Sequence, residues 1–93
     1  MSVRIEAIRA ALSAALMPVE LDVLDESHQH VGHAGARDGR GHFAVRVVSG
    51  AFDGMPLLAR HRRIYAALGE LMSTDIHALR VIAAHTPAEV EAG

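Results

Sequence analysis

An α+β fold is predicted for this chain of 93 residues, with a three-stranded sheet and helices on one face of it. Three observations predict it: long segments with helical periodicity, shorter strand-like segments, and turn residues between them. The elements follow in the order α-β-β-α-β-α, and a short additional helical turn near residues 53–57 makes it α-β-β-α-α-β-α. We interpret residues 1–93 as one domain, a two-layer sandwich.

The first half of the chain is predicted to form one helix and two strands. Residues 3–16 repeat apolar side chains at helical spacing, at Ile5, Ile8, Leu12 and Leu16. Ser2 is the predicted N-cap, and Pro18 prevents continuation of the helix. Residues 20–26 and 42–49 alternate like strands, and we expect them to pair as an antiparallel hairpin. The side chains predicted for their apolar faces are Leu21 and Val23 in the first strand, and Phe43, Val45 and Val47 in the second.

The second half is predicted to form a helix, a strand and a short terminal helix. Residues 57–72 give the clearest helical pattern. Residues 77–84 are predicted to form the third strand. Apolar residues occur at both odd and even positions, so the sequence does not indicate which face of this strand is buried. Thr86, Pro87 and Glu89 are typical of a helix start. The apolar stripe predicted for the long helix comprises Leu57, Leu58, His61, Ile64, Tyr65, Leu68, Leu71 and Met72.

Composition excludes several classes of protein. The chain has no cysteine, which excludes disulfides, a thiolate zinc site and an iron–sulfur site held by this chain alone. Its formal net charge of −2 argues against general binding to nucleic acid. We expect no membrane span, since no apolar run is long enough. We also expect no targeting peptide, because Glu6 lies within an early helical pattern, and we expect a cytoplasmic location.

Histidine is the most informative residue type, with seven in the chain. Residues 27–41 are rich in glycine and are predicted to form a long mobile loop that carries three of them, His28, His30 and His33. Taken by themselves, these three are best interpreted as solvated polar residues, and a loop so rich in histidine could also take up zinc or nickel during purification.

Several spaced motifs, taken together, resemble the BolA family over nearly the whole chain. The motifs are Asp25-Glu26-Ser27 before the histidine-bearing segment, His42-Phe43 at the start of a strand, Phe52-x-Gly54, Arg60-His61-Arg62, and His77-Ala78-Leu79. Their number and order make the resemblance specific. The resemblance implies a KH-like (class II) fold, which the predicted order of elements fits.

The resemblance also implies an adaptor and not a catalyst. BolA-like proteins pair with monothiol glutaredoxins and can share a [2Fe–2S] cluster with the glutaredoxin and glutathione, in cluster trafficking or iron regulation. On the matching positions, His77 would be one ligand of that cluster. His30 matches the second ligand best, and His33 is the alternative. Some relatives use a loop cysteine instead of a loop histidine. Since this chain has no cysteine, it resembles the histidine type.

The remaining histidines have structural interpretations. His61 lies on the apolar helical stripe, so we expect it to be a buried, hydrogen-bonded core residue. His42 begins a strand and is expected to have a structural role. His85 is the least informative. No nucleophile partner is evident for any histidine, so we expect no enzymatic activity.

The arginines Arg60, Arg62 and Arg63 have two interpretations. They could form a solvated helix face, or they could contact phosphates. The resemblance supports the second, since BolA-like proteins have been treated as DNA-binding transcriptional regulators of stress response and cell morphology. DNA binding is therefore the alternative function.

Overall fold

The computed structural model describes residues 3–27 and 41–92. Its elements are α1 (Val3–Leu16), β1 (Glu20–Asp25), β2 (Gly41–Val48), a 3₁₀ helix (Gly50–Phe52), α2 (Leu57–Leu68), α3 (Leu71–Thr74), β3 (Ile76–His85) and α4 (Pro87–Ala92). The predicted α+β architecture is confirmed. The predicted N-cap Ser2 and most of the predicted loop, with His28, His30 and His33, lie outside the described residues.

The three strands form one mixed sheet in the order β1-β2-β3. The predicted antiparallel pairing of β1 and β2 is confirmed, with Val23 opposite Val45. The third strand runs parallel to β2, with Val45 opposite Val81. A parallel neighbour requires a crossover, and α2 and α3 supply it.

The register of β3 explains why its buried face could not be read from the sequence. One extra residue, His77, lies between the partners of Gly41 and His42, and a second, Ile82, lies between the partners of Val45 and Arg46. Each insertion reverses the alternation of side chains. The residues of β3 that pack into the core therefore have mixed parity: Ile76, Leu79, Val81 and Ala84.

The hydrophobic core lies between the helices and one face of the sheet. The faces predicted for α1 and for the first two strands are confirmed. The buried core residues are Ile8, Leu12, Leu16, Phe43, Val45, Val47, Phe52, Ile64, Leu68, Ile76 and Ala84. The helices within the described ranges include none that is long and apolar enough to cross a membrane.

The long predicted helix differs from the observed one. It ends at Leu68, because Gly69 has a positive φ of 52° that terminates the helix, and α3 follows as a separate turn. Leu57 and Leu58 are exposed, so the predicted apolar stripe is only partly buried. The helical turn predicted near residues 53–57 is found slightly earlier, as the 3₁₀ helix.

Ser49 is a buried polar residue that joins three elements at one end of the sheet. Its hydroxyl donates a hydrogen bond to the carbonyl oxygen of Leu16 at 2.5 Å and accepts one from the amide of Ala51 at 3.0 Å. Its amide donates to the carbonyl oxygen of His85 at 2.9 Å. One hydroxyl thus satisfies a terminal carbonyl of α1 and caps the 3₁₀ helix.

Replacing Ser49 with Ala should lower the free energy of unfolding by about 1–3 kcal/mol, because a buried carbonyl and a helix-capping contact lose their partner. Urea unfolding followed by circular dichroism measures this. Ser13→Ala is the matched control, since Ser13 is exposed on α1 and alanine favours helix. Equal stability of the two variants would contradict the assigned role of Ser49.

Candidate functional site

His77 lies at the start of β3, at the first irregularity of the parallel register. Its side chain is exposed, and its ring lies beside that of His42, with 5.0 Å between ring centroids and an angle of 54° between ring planes. An inserted residue in a strand re-aims its side chain, and such irregularities are common at functional sites. Two imidazoles from neighbouring strands are thereby brought together.

The backbone of His42 is held on the side of β1. Its carbonyl oxygen accepts a hydrogen bond from the amide of Glu26 at 2.7 Å. Its own amide donates to the hydroxyl of Ser27 at 3.0 Å. The chain that leaves β1 is therefore fastened directly to the chain that enters β2.

Gly41 makes the close approach of these segments possible. A Cβ atom at this position would lie 2.6 Å from Cε2 of Phe43 and 2.8 Å from the hydroxyl oxygen of Ser27. The amide of Gly41 also donates to the carbonyl oxygen of Asp75 at 2.9 Å, immediately before β3. Glycine is needed here for space, and the contact fixes the starts of β2 and β3 relative to each other.

Ion pairs cover the face of the sheet opposite the helices. Arg80 donates to both carboxylate oxygens of Glu26, at 2.6 and 3.3 Å, which bridges β3 to the end of β1. Arg46 donates to carboxylates of Glu20 and Asp22 on β1. The pKa of Arg80 is raised, chiefly by its hydrogen bond to Glu26. These ion pairs therefore connect β1 and the residue that follows it to both β2 and β3.

The predicted ligands divide into those that the structure describes and those that it does not. His77 is described, whereas His30 and His33 lie outside the described residues. The described ranges contain no cluster of three or more potential metal-ligating side chains. His61 is only partly buried, so the expectation of a buried core histidine was wrong.

His42 is the residue that sequence reasoning missed at this site. It was expected to have only a structural role, yet it lies against His77. No local pattern could have indicated this contact, because it depends on the parallel pairing of two strands separated by the whole α2–α3 crossover.

The three arginines that could contact phosphates differ from one another in their surroundings. Arg60 donates to both carboxylate oxygens of Glu89, at 2.6 and 2.9 Å, and to the carbonyl oxygens of Met55 and Ala84 at 2.9 Å each. It therefore connects α2 to the end of β3 and to α4. Arg62 and Arg63 are exposed, and neither has a carboxylate partner among the described residues.

Glu89 also completes the start of α4. Its carboxylate accepts from the amide of Thr86 at 2.9 Å, and its amide donates to the hydroxyl of Thr86 at 3.1 Å. This reciprocal pair is a capping box, which confirms the predicted helix start. The hydrogen bond from Arg60, followed by that from Thr86, lowers the pKa of Glu89 to about 2.

A comparison with family models identifies the wider group. The model described as BolA-like protein matches residues 12–89. The chain belongs to the BolA-like family. The resemblance found in the spaced motifs is confirmed, and the observed sheet and helices match solved BolA domains.

Two plant relatives match in both sequence and structure. This BolA-like chain is 49% identical over 88 residues to SufE-like protein 1, chloroplastic/mitochondrial, of Arabidopsis thaliana, covering 89% of this chain and 24% of the relative. It is 44% identical to Protein BOLA1, chloroplastic, of the same plant, covering 92% of this chain and 55% of the relative. It thus spans about a quarter and about half of these two relatives. The solved BolA domain of SufE1 superimposes with a TM-score of 0.83 at 44% identity, covering 96% of this chain and 98% of that domain.

A bacterial relative carries a functional name. The chain is 47% identical over 74 residues to the DNA-binding transcriptional regulator BolA of Escherichia coli, covering 80% of this chain and 68% of the relative. BolA-like proteins thus include a member named for binding DNA.

Protonation of Glu89 should destabilise the protein in acid. Its pKa is depressed in the folded state, so its stabilising contribution is present above the ordinary pKa of 4.5 and is lost as the pH falls toward about 2. Arg60→Gln should therefore lower stability at pH 7 and flatten its decline between about pH 5 and 2. Urea unfolding at several pH values tests this, with Arg62→Gln as control. An unchanged pH profile in Arg60→Gln would refute the coupling.

Proposed function

We propose that this BolA-like chain is a cytoplasmic, non-catalytic adaptor that binds a monothiol glutaredoxin and shares a [2Fe–2S] cluster with it and with glutathione. The observation that carries the proposal is the exposed His77 at the irregular start of β3. His77 lies at the end of the sheet that carries Ser27 and Gly41, the residues on either side of segment 28–40. That segment contains His30 and His33.

The donor groups of this chain fit such a shared cluster. Imidazole can replace thiolate on one iron of a [2Fe–2S] centre, and the cluster then supplies redox and iron–sulfur transfer chemistry. Since the chain has no cysteine, the thiolates must come from a partner. His77 would be one ligand, and His30 the second, with His33 as the alternative.

The described residues would orient His77 in this role. Hydrogen bonds from Gly41 to Asp75 and from Glu26 to His42 hold the neighbouring strand ends, so the backbone at this position loses little conformational entropy on binding. Histidine must be deprotonated to act as a ligand, so we expect the shared cluster to weaken in acid.

Replacing His77 with Ala should alter the spectrum and reduce the stability of the shared cluster, because one iron loses its imidazole. The measurement is anaerobic reconstitution with a monothiol glutaredoxin, glutathione, iron and sulfide, followed by visible absorption and circular dichroism. His85→Ala is the matched control, as His85 is exposed at the opposite end of the same strand. A glutaredoxin spectrum that does not change on adding this protein would reject the adaptor function.

DNA binding is the second candidate function. It is supported by the name of the Escherichia coli relative and by the exposed Arg62 and Arg63 on α2. Two arginines on one helix can contact phosphates, while specificity would need further contacts to base edges. Arg60 is less suited to this role, since its guanidinium is held by Glu89.

If α2 contacts DNA, Arg62→Ala and Arg63→Ala should each weaken binding at every sequence and reduce the slope of log K against log salt by about 1. Fluorescence anisotropy over a salt series measures both quantities. Arg9→Ala on α1 serves as control, because Arg9 is an exposed arginine on another helix that donates to the carbonyl of Leu21. Unchanged slopes in both α2 variants would exclude this surface.

A further inference from the structure

We infer that His42 and His77 form a two-imidazole binding site for a single borderline transition-metal ion, such as Ni²⁺, Zn²⁺ or Cu²⁺, which this chain can occupy without any partner protein. Among the residues that the structure describes, the site consists of these two side chains. It is distinct from the proposed shared cluster, because it requires neither thiolate nor sulfide.

The distance between the rings is the first argument. Two imidazoles that bind one tetrahedral ion, each through a metal–nitrogen bond of about 2.0–2.1 Å, have ring centroids roughly 5 Å apart. The centroids of His42 and His77 are 5.0 Å apart. The rings are tilted by 54° instead of stacked, so their edges can converge on a common point.

The rigidity of both strand ends is the second argument. His42 is fastened through its carbonyl to Glu26 and through its amide to Ser27, while the Gly41–Asp75 hydrogen bond holds the start of β3 nearby. A preorganised pair of ligands loses less entropy on binding an ion than two independent side chains do. The backbone of both ligands is therefore held in place before an ion binds.

The third argument concerns access and ligand type. His77 is exposed, whereas Nε2 of His42 is buried, so an ion would reach the pair from the side of His77. Imidazole suits zinc, copper and nickel, while calcium and magnesium prefer oxygen ligands. Two protein ligands leave the other coordination positions to water or small molecules.

This inference does not depend on the proposed adaptor function. If both hold, the ion and the shared cluster compete for His77, so the ion would limit cluster binding. The two ideas can fail separately, because ion binding is measured on the chain alone.

The test uses the full chain without an affinity tag and Zn²⁺ as the probe, with isothermal titration calorimetry and NMR of the histidine ring nitrogens, because Zn²⁺ is tetrahedral and diamagnetic. We expect one ion per chain and shifts at both His42 and His77. His77→Ala should weaken binding roughly tenfold or more, since loss of even an outer-shell partner commonly costs that much. His42→Gln should do the same, provided that circular dichroism shows a native fold.

Two controls distinguish this site from adventitious chelation. The triple variant His28→Ala, His30→Ala and His33→Ala should bind Zn²⁺ about as tightly as the parent chain, and so should His85→Ala. The inference is overturned if the parent binds no Zn²⁺, if the triple variant abolishes binding, or if either His77→Ala or a natively folded His42→Gln leaves the affinity unchanged.

Discussion

Parallel hydrogen bonding between β2 and β3 requires the chain to cross from one end of the sheet back to the other, and α2 with α3 forms that crossing. As a result, both strands begin at the same end of the molecule. His42 follows Gly41 in one strand and His77 follows Ile76 in the other. An antiparallel β3 would place its first residues at the opposite end, and the two imidazoles would not meet.

The far end of the sheet is held by a different set of contacts. Ser49 joins α1, the 3₁₀ helix and β3, while Arg60 and Glu89 connect α2 to α4. These interactions use local polar groups to satisfy helix ends and carbonyls that would otherwise lack partners. The fold is thus fastened at the end remote from His77, and substitutions there can report on stability separately from binding.

The absence of cysteine defines what this chain can contribute to a metal centre. Imidazoles are its only nitrogen or sulfur ligands of high affinity at the described site, so any iron–sulfur chemistry requires thiolates from elsewhere. An ion that accepts two imidazoles has no such requirement. His77 therefore contributes to the proposed shared cluster, which requires a partner protein. His42 and His77 together form the proposed single-ion site, which does not.

Local sequence determined the elements and several of their details. Helical spacing predicted α1, alternation predicted the buried faces of β1 and β2, and the capping residues Thr86 and Glu89 predicted the start of α4. Each depends on residues close together in the chain. The resemblance to BolA proteins drew attention to His77, but no local pattern indicated its neighbour.

Tertiary structure decided the rest, because the remaining features depend on contacts between distant segments. The inserted residues of β3 fix its buried face only through pairing with β2. Arg60 binds the carboxylate of Glu89, which lies 29 residues further along the chain. An arginine that was predicted to contact phosphate is therefore engaged in a contact within the fold. His42 and His77 meet for the same reason. The parallel register of β2 and β3 brings together two residues that are distant in the sequence, and hydrophobic periodicity does not indicate that register.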